Sequence, residues 1–202
     1  MEDWREALWA SVPEGAQPER FAARSAFLLA HAGAGDRVLD LGCGDGTFAA
    51  ALTGAGAEVT AVDVAAEAVR RAALRAPGAR VLQVAEGAPL PFGEDAFDVV
   101  WAGETLEHVA DVVGLLAELR RVLRWGGALL VTTPNQARVA VALEALAGRP
   151  LERRLDPRSD HLRFFTARTL RELLKAAGFA QVDVRALDGP PLARRALHAV
   201  AR

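Results

Sequence analysis

Two rhythms of apolar and polar residues take turns along this chain. Short apolar runs occupy RVLDL (37–41), EVTAVDV (58–64), RVLQVA (80–85), FDVVWAG (97–103) and ALLVTT (128–133). Each has the length and the β-branched content of a buried strand. Between them the apolar residues recur at helical spacing. Residues 19–31 read as a helix ended near Gly33 and Gly35, residues 46–53 as a second, and residues 66–76 as a third stopped by Pro77-Gly78. The clearest helix is 111–123, where Asp111 is a good N-cap and Val112, Leu115, Leu116, Leu119 and Val122 share one face. Trp125-Gly126-Gly127 reads as a turn before the fifth strand.

The rhythm breaks at 134–165, a short helical stretch at 137–147 followed by the loop GRPLERRLDPRSD. This segment is expected to be a small lid insertion. Thr166 then caps a helix bearing Leu170, Leu173 and Leu174 and closed by Gly178. FAQVDVRAL (179–187) and RALHAVAR (195–202) read as two strands of a hairpin. Residues 1–18 are expected to be an N-terminal arm and 19–202 a single domain. The alternation predicts an α/β fold with about seven strands, mostly parallel, an antiparallel C-terminal hairpin strand, and helices on both faces.

The sharpest motif is VLDLGCGDG at 38–46. A strand runs directly into Gly42-x-Gly44-x-Gly46 and a helix follows. Glycines there permit a tight turn and close approach of backbone to a ligand, and the helix start offers free N–H groups. Position 47 is Thr, so the spacing differs from the dinucleotide fingerprint. Asp40 precedes the first glycine by two residues. A carboxylate there repels a pyrophosphate but attracts an ammonium group. This favours S-adenosylmethionine, which presents an amino group and a sulfonium, over a dinucleotide.

The chain resembles class I S-adenosylmethionine-dependent methyltransferases, in the group that includes enzymes of ubiquinone and menaquinone pathways. The likeness runs from about residue 20 to the C-terminus and implies a Rossmann-like doubly wound sheet. VLDLGCGDG matches the family's first motif, with Asp40, Gly42, Cys43, Gly44 and Gly46 expected at the cofactor. Asp63 and Val64, in AVDV, match the acid that holds the ribose hydroxyls and its neighbour. One carboxylate can accept both hydrogen bonds of a cis-diol, and the distance from the glycines suits that role. AEGAPLPF (85–92) resembles a D-A-E-x-L-P-F segment, placing Glu86 and Gly87 near the adenine amine, with Glu86 where an Asp is usual. LRRVLRWGG resembles L-x-x-x-L-x-P-G-G, with Trp125 in place of the proline.

After the fourth strand, AGETLEHVAD (102–111) matches a segment that lies beside the methyl donor. Ala102 and Gly103 could let backbone approach the methionine part. His108, in an L-E-H-V signature, is a candidate general base, because imidazole titrates near neutrality. It is equally a structural histidine bonded to backbone. Glu104-x-x-Glu107-His108 also resembles a divalent-metal segment of some quinone-pathway O-methyltransferases, so a metal is a lesser option. DHLRFFTARTL (160–170) resembles an H-x-R-F-F-T segment that follows the lid in many relatives. His161 is a second catalytic candidate, and Glu104, Asn135 and Arg163 are candidates for the acceptor side. Arg163 and His161 serve as well to anchor the lid, and Asn135 as a turn residue.

Composition narrows the partner. Lys and Arg number 24 against 26 Asp and Glu, so no global field favours nucleic acid or an anionic membrane. Cys43 is the only cysteine, which excludes an internal disulfide and a cysteine-rich metal site. No apolar run is long enough to span a bilayer, and the acidic start MEDWREALWA lacks the pattern of a signal peptide, which predicts a cytoplasmic protein. The chain lacks an N-P-P-Y or D-P-P-Y segment for a flipped base. The first reading is therefore transfer of a methyl group to a small molecule, most simply to a hydroxyl oxygen, leaving S-adenosylhomocysteine. The alternatives are a methyltransferase acting on RNA or protein, kept open by the lid arginines (Arg149, Arg153, Arg154, Arg158), a non-catalytic S-adenosylmethionine-binding regulator, and a dinucleotide oxidoreductase. The oligomeric state is not encoded in any pattern found here.

Overall fold

A computed structural model of the chain describes residues 4–148, 159–188 and 194–202. Among these, the strands are β1 (Arg37–Leu41), β2 (Glu58–Asp63), β3 (Arg80–Gln83), β4 (Phe97–Gly103), β5 (Leu123–Pro134), β6 (Val182–Leu187) and β7 (Ala196–Ala201). They form one sheet in the order β3-β2-β1-β4-β5-β7-β6. β1 through β5 pair in parallel, and β7 runs antiparallel to both β5 and β6. The chain winds outward from β1 to β3 and then returns to place β4 on the other side of β1. The strand ends at this reversal diverge, and open α/β sheets take ligands there.

Alternation along each strand splits the core in two. In β1, Leu39 and Leu41 pack on one face of the sheet, while Val38 packs on the other. The first face is covered by α5 (Val112–Val122) and α7 (Ala167–Ala176), whose Leu116, Leu119, Leu170 and Leu174 are fully buried. The second carries α2 (Phe21–Leu29), α3 (Thr47–Gly54) and α4 (Ala66–Arg75), with Leu28, Phe48, Leu52 and Ala72 against Val38, Val99 and Trp101. A parallel sheet covered on both faces explains why its strands read as continuous apolar runs.

The expected caps are present. Asp111 accepts from the Gly114 amide at the start of α5, and Thr166 forms a reciprocal capping box with Thr169 at the start of α7. Three local features differ from expectation. The arm contains a helix, α1 (Trp4–Ser11). β5 begins at Leu123 rather than after the glycines, because Phe97 pairs with Leu123 and Val99 with Ala128. The intervening residues bulge, with Gly126 at a φ of 74°. β6 starts at Val182, three residues later than the apolar run. After β5 the chain forms α6 (Arg138–Leu146). Arg149, Arg153, Arg154 and Arg158, in the loop expected to form a lid, lie outside the described residues.

Gly46 shows how tightly the loop after β1 is built. Its φ is 80°, and a Cβ there would lie 2.7 Å from the Ala72 Cα of α4. Backbone meets backbone, so neither side can yield. Gly46→Ala is expected to cost about 2 kcal/mol or more in urea unfolding, whereas Gly78→Ala, at a roomy site, should change stability by less than about 0.5 kcal/mol.

Candidate active site

The glycine loop leaves β1 through left-handed backbone, with φ of 70° at Gly42, 55° at Gly44 and 80° at Gly46. Its shape is held from β2. The Asp63 carboxylate accepts from the Gly44 amide at 2.9 Å and from the Ala65 amide at 3.0 Å. The Gly42 and Cys43 amides donate to the Val62 carbonyl. Burial raises the Asp63 pKa, and the amide bonds oppose that rise. The Cys43 thiol is buried and its pKa is pushed up, so it is a packing group and not a nucleophile.

A cavity of about 520 Å³ opens at the carboxyl ends of β1, β2 and β4. That volume is typical of a site for a small organic ligand. Gly42, Asp63 and Val64 line one side, and Glu86, Gly87 and Leu90 another. Glu104, Thr105 and His108 line the floor beyond β4. Gly87 has a φ of 70° and open space where a side chain would stand. The last wall comes from α1, through Arg5, Leu8 and Trp9. Arg5 is ion-paired with Glu86 at 2.5 Å. Trp9 lies flush on the glycine loop, so that a Cβ on Gly44 would come within 2.6 Å of its ring. Arg5, Leu8 and Trp9 are not marked as site residues by the sequence, since the arm shows no core-like pattern.

His108 sits in a short 3₁₀ turn, Leu106–His108, on the cavity floor. Its Nδ1 donates to the Asp160 carbonyl at 3.0 Å. A carbonyl only accepts, so Nδ1 carries the proton and Nε2 keeps a lone pair. Burial lowers the His108 pKa, which holds the ring neutral. His161 packs edge-on against His108 with ring centres 4.8 Å apart. The backbone brings the two together: the Glu107 carbonyl accepts from both the Leu162 and Arg163 amides. Arg163 donates its guanidinium to the Ala110 carbonyl, which ties the segment before α7 to the turn. Asn135 donates to the Arg194 carbonyl and bridges to Phe165, acting as a strut beside β7. Neither Asn135, Arg163 nor His161 lines the cavity.

Glu107, His108 and His161 offer ligand atoms within 4.8 Å of one another, and Glu104 is not in that group. The Glu107 side chain is 1% exposed and accepts from the Thr133 hydroxyl at 3.0 Å. Of the three, only His108 reaches the cavity. The arrangement does not fit a cation open to a ligand in the cavity.

Residues 14–184 match a family described as a methyltransferase domain. The chain belongs to that family. It is 39% identical over 134 residues to a ubiquinone biosynthesis O-methyltransferase of Xanthomonas oryzae pv. oryzae, covering 63% of this chain and 55% of that relative. The chain therefore spans about half the length of that relative. It is 34% identical over 170 residues to the protein of the same name from Xanthomonas axonopodis pv. citri, covering 81% of this chain and 70% of the other. Among solved structures it is similar to 1,6-didemethyltoxoflavin-N1-methyltransferase of Burkholderia thailandensis, determined with 1,6-didemethyltoxoflavin and S-adenosylhomocysteine. The TM-score is 0.65 and the identity 27%, over 89% of this chain and 76% of that one.

This methyltransferase domain also buries a polar group that the sequence did not announce. Arg24 of α2 is 5% exposed and lies over the Phe48 ring at 4.6 Å. Its guanidinium crowds Gly103, where a Cβ would come within 2.7 Å of it. The charges of Glu104, Glu107 and Asp40 face it. Arg24 Nε, Asp40 Oδ2 and Glu104 Oε1 are buried without partners among the described residues. Ala102 is fully buried, and Gly103 is covered by Trp101 and Arg24. Unpaired polar atoms of both signs next to the glycine loop match the zwitterionic head of an amino acid.

Burial, followed by the charge of Asp63, pushes the Asp40 pKa up to about 7. An unfolded Asp ionises near 3.8. Between these values the folded chain holds a proton that the unfolded chain releases. The stabilisation is full below about pH 4 and is lost as pH rises through about 7. Melting temperature is expected to fall more between pH 5 and 8 for wild type than for Asp40→Asn. Equal slopes by differential scanning calorimetry would refute this assignment.

Proposed function

We propose that this domain binds S-adenosylmethionine in the cavity and transfers its methyl group to a small-molecule hydroxyl. The observation that carries the reading is convergence. Asp63, Gly42, Glu86, Gly87, Glu104 and His108 come from four separate stretches of chain and line one cavity. The relatives named as O-methyltransferases and the structure holding S-adenosylhomocysteine support the same donor. In this reading Asp63 accepts from the ribose diol with the lone pairs its two amide bonds leave free. Val64 and Gly87 flank the nucleoside, and Glu86 meets the adenine amine. Gly42, Cys43, Gly44 and Gly46 bring backbone to the methionine part. Arg24 pairs with its carboxylate, and Asp40 and Glu104 with its ammonium, beside Ala102 and Gly103.

The donor's sulfonium supplies an electrophilic methyl group. The chain's own task is to align the acceptor and exclude water. A hydroxyl acceptor must also lose a proton, and in this reading the Nε2 lone pair of His108 takes it. The Asp160 carbonyl holds the ring in the required tautomer, and His161 braces it from the side. We place the acceptor between the 3₁₀ turn and the segment 134–165, the proposed lid of a single domain over 19–202. No helix among the described residues is long and apolar enough to cross a membrane. A cytoplasmic setting belongs to the same proposal.

S-adenosylmethionine and S-adenosylhomocysteine should raise the melting temperature, and NAD should not. A larger shift with NAD would sink the donor assignment. Release of S-adenosylhomocysteine over panels of phenols, quinols, acids and RNA then identifies the acceptor. Turnover with RNA alone would overturn the small-molecule reading.

His108→Gln is expected to lower kcat by about 10²-fold or more. Wild-type kcat should fall as pH drops through a value below 6.5, where the ring gains its second proton. The variant should lack that limb. A normal kcat in the variant would leave His108 structural.

A further inference from the structure

We infer that Glu6 is a positioning residue that docks α1 as a movable wall of the donor cavity. The inference rests on the donor reading above. α4 starts directly after the Asp63 loop, and its N-cap residue is Ala65, whose side chain cannot cap. The free amides of that helix start are met from elsewhere in the chain. The Glu6 carboxylate accepts from the Ala66 amide and, at 3.1 Å, from the Glu67 amide. A carboxylate suits this place twice over, through charge-assisted hydrogen bonds and through the positive end of the helix dipole.

Glu6 shares its short helix with the cavity-lining residues. Arg5 reaches Glu86, and Trp9 covers Gly44. Each attachment of α1 thus ends on a different part of the donor site: its adenine-facing acid, its glycine loop, and the helix that follows its ribose-facing acid. Beyond the helix, Glu14 pairs with Arg70 and the Val12 carbonyl accepts from Arg71, both on α4. A ligand in the cavity therefore has its last wall only while α1 is docked. Its exit past that wall requires α1 to lift. Docking of α1 and occupancy of the cavity stabilise each other reciprocally. Arg5, Leu8 and Trp9 touch the ligand space, whereas Glu6 acts through them.

The test uses the full chain with S-adenosylhomocysteine as probe. Release is followed by stopped-flow displacement and backbone opening by hydrogen exchange. Glu6→Ala should speed release and weaken binding about tenfold, with faster exchange over residues 4–11. Glu6→Asp should recover part of both. Trp9→Ala, which leaves the cap of α4 intact, should also speed release. Glu14→Gln should change release by less than about twofold, as expected for an exposed pair. Unchanged release in Glu6→Ala would overturn the inference. So would faster exchange confined to residues 66–75 with normal release in Trp9→Ala, the pattern of a cap that merely steadies α4. A wild-type chain that fails to bind S-adenosylhomocysteine would instead remove the donor reading itself.

Discussion

The carboxylate of Asp63 is the interaction on which the carboxyl end of the sheet depends. One oxygen holds the Gly44 amide and the other the Ala65 amide. It therefore joins the loop after β1 to the loop after β2, on one side of the winding reversal between β1 and β4. Without such an acceptor, three glycines in left-handed backbone would be free to sample many shapes, because glycine restricts the chain least. Asp63 is 8% exposed, so water cannot substitute for these bonds. The same group faces the cavity, and one buried acid both shapes the loop and presents a carboxylate to a ligand.

The two faces of the sheet divide the work. The α5 and α7 face is an apolar core, with leucines from helix and strand interlocked. The α2 face is apolar near the amino ends of the strands and polar near their carboxyl ends, where Asp40, Arg24 and Glu104 gather. Buried charges of opposite sign offset one another's desolvation only where they meet. Here several atoms are left without partners. Such under-satisfied polar groups concentrate where a protein expects a ligand, and these adjoin the glycine loop. Stability is given up at the place where binding recovers it.

Much of the fold was legible because it is decided locally. The apolar runs that become β1, β2 and β4, the N-cap at Asp111 and the capping Thr166 depend on residues within a few positions of one another. The glycine spacing and Asp63 were legible for the same reason, since a tight turn and a strand-end acid are local demands. α1 was not. Its eight residues are too few to hold a helix alone, and its side chains find partners on the α4 amides, Glu86 and Gly44, more than thirty positions away. The early start of β5 was hidden because pairing with Phe97, not the composition of LRWGG, extends it.

By itself the sequence determined the α/β alternation, the glycine loop and the acids beside it, because strand and helix periods and left-handed turns follow from the order of residue types. Only the tertiary structure decided which side chains share the cavity. Arg24 reads as an ordinary charge in a helix until α2 lays it against Phe48 and Gly103. His108 and His161 are more than fifty positions apart in the chain and become neighbours through two amides on the Glu107 carbonyl. Arg163 and Asn135, read as acceptor-side candidates, are engaged with the Ala110 and Arg194 carbonyls. Contacts across such distances in the chain depend on how helices settle on the sheet, and no pattern within a single segment encodes that.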